Sequence, residues 1–139
     1  MTSTSTRSVA ADSNVLLSAV AGRAAQRVFE KTELVVVTTE ANLDEIREYI
    51  PLFARRYTLP EDLLLNTLAI LPIVVCAEHQ YAAGLPRARQ LLADRDPDDV
   101  ALAALALTRQ IPVWTNDRDF TGFPTGVYTT AQLLKSLGV

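Results

Sequence analysis

Five carboxylates in this 139-residue chain stand out by type and spacing. Asp12 closes a short apolar run at residues 9–11, and Asp117 and Asp119 follow the apolar start of IPVWTNDRDF. Asp99 lies in the first turn of a helix opened by Asp96-Pro97, and Glu45 lies in NLDEIRE, in the second turn of another. Singly, each has an ordinary explanation. Asn and Asp favour turns through local hydrogen bonds, and an acid in a first helical turn complements the helix dipole by ~1 kcal/mol or less. Brought to one rim, ionised carboxylates repel one another and are tolerated when a cation compensates them. The donors are all oxygen, which suits Mg²⁺ or Mn²⁺ with waters, and Mg²⁺ in particular shares substrate phosphates. The pattern points to phosphate chemistry, provided that the fold brings the acids together.

The elements that must do so alternate between strand and helix. Residues 9–11 read as a first strand, and residues 15–20 and 24–29 as two short helices parted at Gly22. Residues 34–37 are β-branched and apolar. Thr38 or Thr39 can cap the next helix, in which Leu43, Ile46, Tyr49 and Ile50 recur at three and four until it ends near Pro51. Residues 60–71 form a leucine-rich helix, 73–76 a third strand, and 81–93 a helical stretch broken near Gly84 and Pro86. Asp96 then caps a helix with Pro97 at its first position and VALAALALTR behind it, Ala103 and Ala106 falling on the face of Asp99. Residues 113–115 give strand four, Val127 and Tyr128 a fifth, and 130–137 a closing helix. This order predicts a single-domain, three-layer α/β sandwich: a central parallel sheet of four to five strands with helices on both faces. Ligands in such sheets bind outside the carboxyl ends of the strands. All five acids fall at that edge.

Composition narrows the partners. Hydrophobic residues are 49% and charged residues 21%, as in a soluble one-domain protein, and no apolar run approaches the ~20 residues of a membrane helix. The start MTSTSTRSVAADSN has no signal-peptide pattern, so we expect a cytoplasmic protein with a disordered tail at residues 1–6 and its domain at 7–139. Cys76, the single cysteine, reads as strand interior. His79 has no second His or Cys nearby for zinc. The net charge of −3 argues against a protein that coats nucleic acid by charge alone. Without the five acids, however, 11 acidic residues face 13 basic ones, a balance of +2, and 11 of those 13 are Arg, which suits bidentate phosphate contact. A mildly basic surround to an acidic notch fits a nucleic-acid backbone.

With the acids so placed, the chain resembles a PIN domain, the fold of VapC-type ribonuclease toxins and related nucleases. The resemblance runs through VAADSNVLLSAVAG, VVVTTEANLDEI, RDPDDVALAALAL and PVWTNDRDF. It implies a metal site built from Asp12, Asp99 and Asp117, with Asp119 as an extra ligand. Glu45 is implied as the second acid, with Glu40 as its rival, and Asp99 fits the third position better than Asp98 or Asp96. Asn14, Thr115 and Asn116 are implied as supporting donors to the carboxylates or their waters. The activity implied is Mg²⁺- or Mn²⁺-dependent hydrolysis of RNA; a cognate antitoxin and a homodimer are implied partners. Only Lys31 and Lys135 are lysines, so no RNA-contact surface carries over. A receiver-like signalling domain fits less well, since strand three ends Cys-Ala-Glu and neither lysine follows a core strand. The remaining alternative is a PIN-like module that binds RNA or protein with a weak or silent metal site.

Overall fold

The computed structural model describes residues 7–31, 33–92 and 96–139. The expected tail at residues 1–6 and the end of the helical stretch at Ala93 lie outside them. Five parallel strands, β1 (Arg7–Ala11), β2 (Leu34–Thr39), β3 (Ile73–Cys76), β4 (Val113–Trp114) and β5 (Val127–Tyr128), form one sheet in the order β3-β2-β1-β4-β5. Successive side chains of a strand leave opposite faces, and the two cores divide accordingly. Val9, Ala11, Val36 and Trp114 enter one core, while Ala10, Val37, Cys76 and Val113 enter the other. Cys76 is fully buried there.

The first core is closed by α1 (Ser13–Val20), a 3-10 segment (Ala24–Glu30), α2 (Glu40–Tyr57), α3 (Glu61–Ile70) and α6 (Thr130–Leu137). The second is closed by α4 (Leu85–Leu91) and α5 (Pro97–Arg109). The chain is therefore the expected parallel three-layer sandwich. Alanine in α5 permits close packing: Ala103, Ala104 and Ala106 have no exposed surface. A Cβ on Gly84, in the turn before α4, would run into the Ala104 carbonyl oxygen, so this approach requires glycine.

Three local expectations change. The helix after β2 does not stop at Pro51 but continues to Tyr57, ending at Thr58 in the left-handed conformation. Pro51 is exposed, so solvent can reach the carbonyl its ring leaves without an amide donor. Burial of Ile46, Ile50 and Ala54 along one face holds both halves in one helix. The second short helix is a 3-10 segment, and β4 has two residues instead of three, Thr115 instead donating its amide to Tyr128 O. None of the three moves an acid off the carboxyl edge.

Candidate functional site

Register places the first acid. Ala11 pairs with Trp114 across β1 and β4, so the next residues, Asp12 and Thr115, leave the sheet side by side. Asp12 is 6% exposed. It caps α1, its Oδ1 accepting from the Val15 amide at 2.9 Å, while its Oδ2 accepts a short hydrogen bond from the Thr115 hydroxyl. The same hydroxyl oxygen accepts from the Asp117 amide at 3.0 Å, tying the loop after β4 to the end of β1. Burial pushes the Asp12 carboxyl up to about 6; its two donors oppose that rise, and the charges of Asp99 and Asp117 add to it. Asp12, Asp99 and Asp117 thus share one electrostatic neighbourhood.

Helix termini place the others. At the start of α2, Thr39 caps through its hydroxyl to the Asn42 amide at 3.0 Å. The Asn42 side chain bonds Thr39 at 2.6 Å and Ser13 at 2.9 Å, and all three residues are buried. This network fixes α2 against α1 and so sets Glu45, one turn further on. At the start of α5, Asp96 accepts from the Asp98 amide at 3.1 Å. The carboxylates of Glu45, Asp96 and Asp98 lie within 4.8 Å of one another. Partial burial, then a hydrogen bond shared with Glu45, then the charges of Glu45, Asp96 and Asp99 raise the Asp98 carboxyl to about 7.

A cleft of about 510 Å³ opens at this edge, lined on its acidic side by Asn14, Glu45, Asp96, Asp99 and Asp117. Its other wall is the outer face of α2, with Tyr49, Leu52, Phe53 and Arg56. Four of the five acids singled out in the sequence thus meet at the cleft: Glu45, Asp99 and Asp117 line it, and Asp12 lies buried beside the latter two. Asp119 is exposed, does not line the cleft, and donates its amide to Asp117 Oδ1 at 2.9 Å. Asn14 lines the cleft; Asn116 instead holds α6, accepting from the Thr130 amide at 2.9 Å. Glu40 is exposed on the first turn of α2, away from the cleft, and acts electrostatically on Tyr81.

Two features escaped the sequence. Asp96 and Asp98, in the sequence only lesser candidates than Asp99 for the third acid, join Glu45 in addition to their part in opening α5. The Ser13, Thr39 and Asn42 network shows in the sequence only as a cap, because its cross-link between α1 and α2 spans 29 residues.

The donor set that faces the cleft is all oxygen, and both Asp12 and Asp98 hold protons more tightly than ordinary carboxyls. A divalent cation would relieve that repulsion, so the residues present fit one. The fold and the cleft together define a parallel α/β domain with clustered carboxylates at the carboxyl ends of its central strands. The PIN domain model matches residues 10–137, and the chain belongs to that family. Of known structures, VapBC2 from Rickettsia felis bound to a promoter DNA fragment is similar at a TM-score of 0.64 and 12% identity, over 88% of this chain and 98% of that one. A toxin-antitoxin complex from Klebsiella pneumoniae is similar at 0.63 and 21% identity, over 88% and 97%. No curated protein matches the sequence significantly.

Proposed function

We propose that this chain is a Mg²⁺- or Mn²⁺-dependent ribonuclease, the toxin of a toxin-antitoxin pair, hydrolysing phosphodiester bonds of single-stranded or loop RNA. The observation that carries this is the convergence of acids from four chain segments on one cleft, with Asp12 buried among them. Asp12, Asp99 and Asp117 hold the cation, directly or through water, with Asp119 as an outer ligand. When bound, the cation supplies activation of water near neutral pH and charge stabilisation for an in-line displacement at phosphorus.

The chain's own residues do the rest. The Thr115 hydroxyl and the Val15 amide fix the orientation of the Asp12 carboxylate, so that no reorientation is needed when substrate arrives. Glu45 orients the attacking water and accepts its proton, its carboxylate lining the cleft beside Asp98 and Asp96. Asn14, at the cleft wall, positions water or phosphate oxygen, and Asn116 keeps the loop of Asp117 against α6. Both toxin-antitoxin neighbours support a proteinaceous antitoxin as partner. The exposed Leu63, Leu65 and Ile70 of α3 suit a homodimer contact, and no described helix is long and apolar enough to cross a membrane.

The test is cleavage of a mixed structured RNA pool in Mg²⁺, Mn²⁺ or EDTA, by wild type, Asp12→Asn and Asp117→Asn. We expect metal-dependent cleavage by wild type alone. Cleavage that survives EDTA or both substitutions sinks the mechanism, and binding without cleavage by any form favours a module that only binds.

A further inference from the structure

The acidic half of the cleft accounts for the reacting phosphate but leaves its other wall unused. That wall is one face of α2: Glu45, Tyr49, Leu52 and Arg56 follow one another at spacings of four, three and four, so their side chains form a single line. At 1.5 Å per residue the line runs ~16 Å from Glu45 to Arg56, with Tyr49 ~6 Å along it. Tyr49 is 46% exposed and Leu52 50%, large fractions for an aromatic and an aliphatic side chain beside a group of carboxylates. Phe53, the next ring, is already engaged, since it packs on Tyr57 at 4.7 Å, and Arg23 in turn covers the Tyr57 ring at 4.5 Å. Tyr49 has no ring partner among the described residues, and Arg56 has no ion pair there. One open aromatic face and one available guanidinium therefore stand in line with the acids.

We infer that this face of α2 is a track for single-stranded RNA: Tyr49 stacks the base next to the scissile phosphate, and Arg56 takes a backbone phosphate further along the strand. The inference rests on the proposal that the cleft hydrolyses RNA. Base stacking on an aromatic ring with a cation following the backbone is the general chemistry of single-strand binding, and it tolerates sequence. A duplex keeps its bases stacked on each other and offers none to Tyr49, so the track selects unpaired RNA. Charge favours RNA over an apolar protein segment as the occupant. The line begins at carboxylates that require a cation and ends at an arginine, as a polyanion with a bridging metal needs.

The test uses 5′-labelled, unstructured oligoribonucleotides of mixed sequence, from dimer to octamer. Binding is followed by fluorescence anisotropy in Ca²⁺, and cleavage in Mg²⁺ or Mn²⁺. Tyr49→Ala is expected to weaken binding about tenfold and to raise KM with little change in kcat. Tyr49→Phe, which keeps the ring, stays within about twofold of wild type. Arg56→Ala weakens binding of the octamer but not of the dimer and lowers the salt dependence by about one ion, whereas Arg56→Lys retains that dependence. Tyr49→Ala and Arg56→Ala are surface changes, and an unchanged melting temperature verifies their folding. Metal-dependent cleavage by wild type, with both alanine variants binding every length like wild type, overturns the track while leaving hydrolysis intact, and assigns the wall to a protein partner. Tyr49- and Arg56-dependent binding without any cleavage upholds the track and sinks hydrolysis. Absence of RNA binding by wild type overturns the track.

Discussion

Asp12 and Asp98 are both carboxyls that hold a proton above the ordinary range, yet the protein places them by different means. Asp12 follows a central strand; it is buried, each of its oxygens has a fixed donor, and its neighbours act on it as charges. Asp98 sits on a helix start, partly open, and meets Glu45 carboxyl to carboxyl. Sheet register makes the first position rigid, because moving Asp12 would mean moving β1 against β4. The second depends on how α2 and α5 happen to approach each other. A rigid acid surrounded by donors is suited to holding a cation in one place, and a partly open one raised to about 7 is suited to exchanging a proton with water.

The largest effect expected from this contrast is at Asp12. Asp12→Asn should lower RNA cleavage by more than about 100-fold, beyond what loss of an outer supporting contact costs. It should also stabilise the metal-free protein. The folded-state value of about 6 lies above the ordinary 3.8, so the charged carboxyl destabilises the fold at higher pH. That penalty is absent below pH ~4 and complete above about 6, where it amounts to at most about 3 kcal/mol. Urea unfolding at pH 7.5 in EDTA, with and without the substitution, measures it; a less stable variant would contradict the account.

Thr115→Val comes next. It removes the hydroxyl between Asp12 and the Asp117 amide, and cleavage should fall about 10- to 100-fold while the fold loses roughly 1–3 kcal/mol. Equal activity with a normal Mn²⁺ titration would show that the strand-end acid needs no fixed donor. Asn42→Ala probes the helical side. It breaks the link from α2 to Ser13 and Thr39 and should cost roughly 1–3 kcal/mol, with activity down by no more than about tenfold because Asp12 keeps its donors. A larger loss of activity than in Thr115→Val would invert the comparison.

The pair itself predicts a pH response. With the Asp98 carboxyl raised from 3.8 to about 7, the metal-free melting temperature should decline as pH rises across that window, and Asp98→Asn should flatten the decline. Differential scanning fluorimetry in EDTA measures the slope, and Mg²⁺ should reduce it in the wild type. The smallest effect is expected at Asp119. Exposed and outside the cleft, it should change cleavage by no more than about twofold on conversion to Asn, with stability within about 0.5 kcal/mol. A tenfold loss would make it a direct ligand and extend the rigid group along the loop.

Asp12 and Asp117 follow apolar runs that can only be strands, and a parallel sheet sends every strand's carboxyl end to one edge. Their meeting follows from that rule. Glu45 and Asp99 come from helix starts, which the same topology returns to that edge. The spacing of Asp99 from Ala103 and Ala106 put it on the packed face of α5, and both alanines are fully buried. Pro51 misled, because a proline stops a helix only when its lost hydrogen bond has no compensation, and the buried face of Ile46, Ile50 and Ala54 supplies it.

Local periodicity and the parity of strands therefore specify the sandwich and the sheet edge at which the candidate acids gather. Which acids touch depends on tertiary packing. It paired Glu45 with Asp96 and Asp98, turned Asp119 outward, tied Asn116 to α6 and set the Tyr49–Arg56 face of α2 along the cleft. Contacts of that kind are set by the angle and depth at which helices pack on the sheet. These depend on side chains far apart in the chain, and no local pattern encodes them.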